Sequence, residues 1–527
     1  MSDPLQYRRY RAPQNHGEAL ILPELTDAGS LLAQQPLAIE MLGRSLTALQ
    51  TETRQRVLEL AYQTTRQYRD IAVPSANLPI VMSGHQPQLF HPGVWFKNFV
   101  LSGLGERYRA NAINLVIDND LCRTPAIRIP SGTLDSPHTT SLAYDASSEP
   151  LPYEERHILD RSCLDSFADR TTQALTDLIP NPLIRQWWET TASLRQRATH
   201  VGTYLAQARH HLEGELGLRT WEIPLSQVCD TTGFHYFCAT MLEDAARLQT
   251  IYNASLATYR AVNRVRSPLH PVPDLVTEGE WQEVPFWIWS EQNPQRRRLY
   301  ARRTRTALHL TDLQQTELRL PAVSSEQIPT ALRDVRDQGY KIRPRALMTT
   351  MFARLFLCET FIHGIGGGKY DQVTDAIIQR FFKIAPPPFT VVTTTWLLPL
   401  MPSSPDVRDL RTIDQTLREL RFHPEIHASS SPDVDDLVRQ KRAWIAQDLP
   451  RGARLERHQQ ITALNEQLQT HVSDQHQVLQ DEREQTARHV RHAHILASRE
   501  TSFCAFPSES LCPGLLELAR QAFYIDK

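Results

Sequence analysis

The segments LPIVMSG (78–84), HQPQLFHPG (85–93), VWFKNFVLSGL (94–104) and INLVIDND (113–120) follow one another closely, and their order decides the fold. An apolar run of strand length ends in a Pro/Gly-punctuated loop. The loop feeds a helix-like stretch, and a second β-prone run follows. Strand, loop, helix, strand is the pattern of a right-handed βαβ unit.

A second cassette lies far along the chain. RALMTTMFARLFLCETF (345–361) reads as a helix running into a short strand, and IHGIGGGKYD (362–371) as a loop. DQVTDAIIQRFF (371–382) then reads as a helix, and FTVVTTTWLLP (389–399), after the break APPP (385–388), as a strongly β-prone strand. Two such cassettes predict an α/β protein with a parallel sheet.

Working outward, residues 1–75 read as an N-terminal helical extension with one helix from Ala38 to about Tyr68. The core spans 76–400. It is interrupted by a helical stretch at 150–265, clearest in MLEDAARLQTIYNASLATYRAV (241–262), where apolar positions recur at helical spacing. A small β-rich insertion follows at 266–320, where prolines bracket PFWIWS (285–290) ahead of RRRLYARR (296–303). Residues 401–500 are polar, and Ile461, Leu464 and Leu468 fit an a/d/a spacing that His471 and Gln475 interrupt. That region predicts a helical hairpin or coiled coil, through which the chain could form a homodimer. The tail, 501–527, is apolar enough to pack back on the core.

The chain has 527 residues, 41% hydrophobic and 22% charged, enough for two or three structural units. Its formal net charge of −2 gives no global attraction to nucleic acid or an anionic membrane. No run of about 18 apolar residues suggests a transmembrane helix, and the basic N-terminus lacks the apolar stretch of a secretion signal. The expected location is therefore the cytoplasm. Seven cysteines without CxxC spacing read as reduced thiols, not as a disulfide framework or zinc site, and no metal site is assigned. Of 57 basic residues only six are lysines, at 97, 341, 369, 383, 441 and 527.

Two loops carry the candidate chemistry. In SGHQPQLFHPGVWFKN (83–98), a helix start near Gly93 would offer free N–H groups to a phosphate or carboxylate. His85 and His91 could donate to oxyanions or move protons, and Lys97 could add a point charge. A Pro-rich turn with surface histidines is the alternative. In HGIGGGKYD (363–371), Gly366, Gly367 and Gly368 permit close approach of a ligand to the main chain, while His363, Lys369, Tyr370 and Asp371 flank it. This is neither a Walker A motif nor a dinucleotide fingerprint, and a tight left-handed turn is the alternative. In IDND (117–120), a strand running to its end would put Asp118 and Asp120 on one face and Asn119 on the other. A strand-terminating turn explains the same letters. In KIRPRAL (341–347), Arg343 and Arg345 could clamp a carboxylate or phosphate, or form a solvated face. PFWIWS reads as core, with a cleft wall as the alternative, and Asn253 as a helix-packing residue.

With these motifs assembled, the chain resembles the bacillithiol-synthesis cysteine-adding enzymes over approximately residues 75–520. Ser83-Gly84-His85-Gln86, Gly93 and Lys97 stand where that family has a Thr-Gly-Gln-Gln turn, a glycine-bearing loop and a helical lysine. Asp118-Asn119-Asp120 lines up with an acidic Glu-Asp-His-Asp motif, IYNASLATYR with a helix bearing tyrosine and asparagine, and HGIGGGKYD with a Gly-Gly-Pro-Gly-Glu loop. His85 replaces a glutamine, Asn119 a histidine, and the second loop lacks the family's proline and glutamate. The His85-Gln86-Pro87 turn also looks like that of WbqC-type proteins, another group linked to sugar modification.

The resemblance implies a Rossmann-like parallel sheet core and a ligase or transferase joining an amine to a carboxylate or sugar-linked small molecule, with ATP or ADP involved. His85, Gln86, His91, Lys97 and Asp118 or Asp120 would be the catalytic set. Gly84, Gly93, Asn119, Arg343, Arg345 and the residues 363 and 366–371 would bind ligand. Two alternatives are a nucleotidyltransferase, since SGHQPQLFHPG is similar to the HIGH-type loop, and a non-catalytic scaffold acting through the helical C-terminal region.

Overall fold

Strands covered on both faces have no solvent side, so they read as unbroken apolar runs. The central strands of this protein's main sheet are of this kind, with Ile80, Val81, Met82, Ile113, Leu115 and Val116 all buried. In the computed structural model, which describes residues 7–25, 32, 37–400, 407–448 and 454–523, the sheet contains β1 (Glu18–Leu22), β2 (Ile80–His85), β3 (Asn111–Val116), β4 (Trp221–Pro224), β5 (Thr360–His363) and β6 (Phe389–Thr395). Their spatial order is β1-β6-β5-β2-β3-β4. All neighbours run parallel except β1, which pairs antiparallel with β6. Every residue of β3 is buried. The chain is thus a mixed α/β protein built on a mixed, mostly parallel sheet.

In chain order, the helices that bear on the site are α1 (Leu46–Thr65), α2 (Pro92–Arg107), α3 (Val201–Glu215), α4 (Ala245–Asn263), α5 (Ala346–Phe352) and α6 (Ile365–Phe382). β2 leads through α2 to β3, while β5 leads through α6 to β6. The two neighbouring strands β2 and β5 therefore send their chains in opposite directions. A crevice opens beyond the carboxyl ends of strands where two such connections part.

Several boundaries differ from those the sequence predicts. The helix expected from Ala38 starts at Leu46, because Leu42 and Gly43 turn the chain at positive φ (49° and 81°) and Ser45 caps the helix by accepting the Ala48 N–H. β1 joins the main sheet, so residues read as an extension contribute to the core. The β insertion is larger than 266–320. Trp281–Ser290 pairs antiparallel with Arg297–Arg303 and with Tyr340–Pro344, in a six-stranded sheet that runs from Thr277.

Two compact units divide the chain. The first comprises residues 1–129, 140–397 and 499–527, and holds both six-stranded sheets. Its helix Ser508–Gln521, from the predicted tail, packs against α2. The second unit comprises 130–139 and 398–498. Where a hairpin or coiled coil is predicted, its described residues form four α-helices: Val407–Phe422, Pro432–Ile445, Arg454–Thr470 and Ser473–Leu496. Leu464 and Leu468 are buried there, as their spacing predicts. Residues 1–6, 26–31 and 33–36 of the predicted extension, 401–406 and 449–453 of the predicted helical region and 524–527 of the tail lie outside the described residues. Among the described residues, no helix is long and apolar enough to cross a membrane.

Candidate functional site

A cavity of about 910 Å³ lies within the first unit, and both His85 and Gly367 line it. The two loops, almost 300 residues apart in sequence, meet because β2 and β5 are hydrogen-bonded neighbours, with Phe361 opposite Met82 and Ile362 opposite Ser83.

The β2 side begins with His85, the last residue of its strand. Helix α2 starts at Pro92, a residue preorganised for the first helical position. His91 caps it: Nδ1 accepts the Gly93 N–H at 3.1 Å, and the His91 carbonyl accepts the N–H groups of Val94 and Trp95 at 3.0 and 3.2 Å. Gly93 packs beneath β6, where a Cβ would run into the Thr394 carbonyl oxygen. Both residues border the cavity. The helix start expected to receive an anion is nevertheless closed by its own cap. His91 Nε2 lies 3.5 Å from Glu500 Oε2.

Lys97 sits one turn further on and is only 2% exposed. Its ammonium donates to the Gly84 carbonyl at 2.8 Å. Among the described residues no carboxylate lies within 4 Å of it. Burial, reinforced by the positive charge of Arg209 on α3, brings its pKa down from 10.5 to about 7. His85 is held well below the usual imidazole range, first by burial and then by Lys97. Its ring packs edge-on against Phe90 at 4.9 Å, and Arg209 lies over Phe90 at 5.9 Å. Arg209 is fixed between Glu213 and Glu222. Those two carboxylates and His210 form a cluster of metal-ligand residue types. The guanidinium stands between the carboxylates, and both His210 nitrogens are engaged, by Tyr68 Oη at 2.8 Å and Thr220 Oγ1 at 2.9 Å.

The acidic stretch behaves as a turn. β3 ends at Val116, so alternation along a strand does not reach residues 117–120 and does not pair Asp118 with Asp120. Asp118 is absent from the cavity wall. It accepts Ser226 N–H at 2.9 Å and Ser226 Oγ–H at 2.5 Å, and burial together with Glu154 pushes it up to about 7. Asn119 and Asp120 do line the cavity. Asn119 donates to the Pro344 carbonyl at 2.8 Å, and Asp120 accepts from Gln86 Nε2 at 2.9 Å.

The glycine-rich segment is helical, not a loop. α6 starts at Ile365, and none of Gly366, Gly367 and Gly368 has a positive φ, which excludes the left-handed turn. The N-cap is Gly364, which has no side chain to offer, and the first hydrogen bond of the turn runs from Gly368 N–H to the Gly364 carbonyl at 2.9 Å. Among the described residues no acceptor bonds the N–H groups of Ile365, Gly366 and Gly367, which border the cavity. A Cβ on Gly366 would meet open space, whereas one on Gly367 would lie 2.5 Å from His363 Nδ1. Gly368 is turned away from the cavity and packs on Val391 and Tyr10. Lys369 and Tyr370 line the cavity; burial raises the Tyr370 hydroxyl to about 12.

Asp371 is a further correction, because it is fully buried behind the wall. It accepts from Thr350 Oγ1 at 2.6 Å, Arg354 Nη1 at 2.8 Å and His363 Nε2 at 2.8 Å. Burial pushes its carboxyl up, but Arg354 and His363 outweigh that and hold it well below the usual range. An ionised Asp371 fixes the His363 tautomer with its proton on Nε2, leaving the lone pair on Nδ1. His363 lines the cavity, and burial lowers its pKa despite Asp371.

The two arginines of KIRPRAL part company at the end of their strand. Arg343 is buried away from the cavity in a fork with Glu154, at 3.1 Å on both sides, and so is no ligand clamp. Arg345 lines the cavity and stacks on Trp287 at 4.2 Å. PFWIWS fulfils both of its readings by alternation: Phe286 and Ile288 are core, and Trp287 is cavity wall. Asn253 packs its helix by donating to and accepting from the Leu275 backbone at 2.9 Å each.

Several lining residues escaped the sequence reading. Arg296 opens a stretch read only as strand, and Arg11 and Arg499 arrive from opposite ends of the chain with no motif around them. Together the wall carries Arg11, Arg296, Arg345, Lys369 and Arg499 against Asp120 and Glu500, so it favours anions. No protein-family model matches the chain, and comparison with curated proteins gives no match.

Proposed function

We propose that this protein is a ligase-like enzyme that joins an amine to a carboxyl-bearing or sugar-linked small molecule with nucleotide help. In this reading the sheet is a Rossmann-like nucleotide-binding core, of the kind used by the cysteine-adding enzymes its motifs resemble. Lys97 carries the reading. A lysine this buried, bordering a cavity and with no carboxylate within 4 Å among the described residues, is costly to keep charged unless an anionic ligand pairs with it.

Each neighbouring group has a role in such a reaction. The free N–H groups at the start of α6, with Lys369, suit a phosphate of ATP or ADP, because a helix N-terminus favours negative charge. His85 and Nδ1 of His363 are unprotonated near neutral pH and can take the proton an attacking amine must lose. Lys97, recharged by the ligand's negative charge, stabilises the oxyanion that forms when the amine attacks a carboxyl first activated by phosphoryl transfer from the nucleotide, and phosphate leaves as the new bond to nitrogen closes. Gln86, Asn119 and Asp120 offer donors and acceptors to hydroxyls or an amine. The second unit, with Phe422, Ile445 and Val478 exposed, supplies apolar surface for a homodimer.

Thermal-shift measurements with ATP, ADP, cysteine and amino sugars test the reading. A nucleotide at 100 times its Kd should add about 2.7 kcal/mol to stability. Lys97→Met should retain the fold and lose that shift. Absence of any shift with all four ligand classes would overturn the proposal.

A further inference from the structure

Two guanidinium groups pack against the Trp287 ring. Arg296 lies 4.3 Å from its ring centre and Arg345 4.2 Å, and all three residues line the cavity. The strand Trp281–Ser290 has a register shift between Val284 and Trp287 where it pairs with Arg297–Arg303. Phe286 and Ile288 turn into the core while Trp287 remains at the wall. Contact with an aromatic face orients a guanidinium at little entropic cost.

Both arginines are anchored on one side only. Arg296 Nη1 donates to the Asn119 carbonyl at 2.9 Å and to Asp120 Oδ1 at 3.1 Å. Arg345 Nη2 donates to Glu283 Oε1 at 2.8 Å. Among the described residues, Nε and Nη2 of Arg296 and Nη1 of Arg345 have no acceptor. Nε of Arg345 is buried without one. The anchoring carboxylates are shared as well: Asp120 also accepts from Gln86, and Glu283 also faces Arg298 at 3.5 Å. A purely structural role, tying the antiparallel sheet to the turn after β3, accounts for the anchored edges. It leaves the unmet donors of two cavity-facing cations unexplained, and unmet charged donors are expensive.

We infer that Arg296 and Arg345, both held against the Trp287 ring, form a second oxyanion seat that takes a carboxylate or phosphoryl group of the second reactant. The seat belongs to the antiparallel sheet, not to α6, and it rests on the proposed reading of this cavity as a two-substrate site. A planar fork with free paired donors matches a carboxylate or phosphate more closely than a neutral group, and Arg suits this better than Lys. The antiparallel sheet at 277–344, with Arg345 directly after its last strand, would thus contribute acceptor recognition to a sheet that contributes nucleotide binding.

Calorimetric titration of the full chain with succinate and with inorganic pyrophosphate tests the seat. At least one probe should bind saturably, and the pair distinguishes its chemistry: succinate alone marks a carboxylate seat, pyrophosphate alone a phosphoryl seat. The double variant Arg296→Gln/Arg345→Gln should weaken that probe at least tenfold while leaving the ADP thermal shift in place. Binding of neither probe, or equal affinity in the double variant, overturns the seat even if ADP binds. An ADP result that fails while the probe result holds would count against the nucleotide reading alone. If the double variant does not fold, Trp287 provides the measurement. Probe-induced change in tryptophan emission should be present in the wild type and absent in Trp287→Phe, and its persistence in Trp287→Phe overturns the seat.

Discussion

Helices α2 and α6 begin side by side at the ends of neighbouring strands, yet their first turns are built in opposite ways. α2 has a capping histidine, a proline at its first position and a glycine jammed beneath β6. α6 has a glycine cap and a glycine that faces open space. One turn in, the charges differ too. α2 carries Lys97, a buried cation with no carboxylate partner among the described residues, while α6 carries Asp371, a buried anion with three donors. A capped N-terminus consumes its own N–H groups and serves the fold. An uncapped one leaves them for a ligand. Glycine content alone does not separate the two cases; what surrounds each glycine does.

The largest expected effect comes from the unpaired cation. A pKa lowered from 10.5 to about 7 corresponds to roughly 4–5 kcal/mol of cost for keeping Lys97 charged in the fold, at about 1.4 kcal/mol per unit. Because the folded chain sheds this proton more readily than the unfolded one, the cost is fully present below pH 7 and fades as pH rises toward 10. Lys97→Met should therefore be more stable than the wild type at pH 6, by about 3–4 kcal/mol after loss of the Gly84 hydrogen bond. The difference should shrink by pH 9.5, and urea melts at the two pH values measure it. A Lys97→Met curve parallel to the wild type would break the contrast.

Asp371→Ala acts in the reverse sense. It leaves Arg354 with Asp375 and the Pro387 carbonyl, frees the His363 tautomer, and should cost about 3 kcal/mol. The wild-type contribution of Asp371 has the usual carboxylate sign, present above the unfolded pKa near 4 and lost only in strong acid. Gly93→Ala should destabilise by about 2 kcal/mol through overpacking against β6. His91→Ala, which removes the cap, should cost about 1 kcal/mol in the same melts. The smallest effect sharpens the comparison most. Gly366→Ala should stabilise α6 by about 0.5–1 kcal/mol, since a Cβ there meets nothing and alanine favours helix. The same change should reduce the ADP thermal shift by crowding the N–H groups. Unchanged ADP binding in Gly366→Ala would remove α6 from the site.

Much of the site was legible because strand ends and turn residues announce themselves locally. His85, Gln86, Lys97, Asp120 and Gly366 line the cavity as their places after strands suggest. Errors arose where side-chain direction depends on distant partners. Asp118 looked equivalent to Asp120 until Ser226 drew it aside. Arg343 looked equivalent to Arg345 until Glu154 took it. The glycine triplet looked like a loop, although its helical turn packs Gly368 against β6 and sets Gly367 on His363.

By itself, then, the sequence determined the alternation of strand and helix, the two cassettes and the helical character of the C-terminal region. Local periodicity and turn chemistry suffice for those, since they depend on neighbours a few residues apart. Only the tertiary structure decided that β2 and β5 lie side by side, and that Arg11, Arg296 and Arg499 share one wall. It also decided which helix start is closed and which is open. Such outcomes depend on contacts between residues hundreds of positions apart, and no spacing along the chain encodes which of two similar side chains finds a buried partner first.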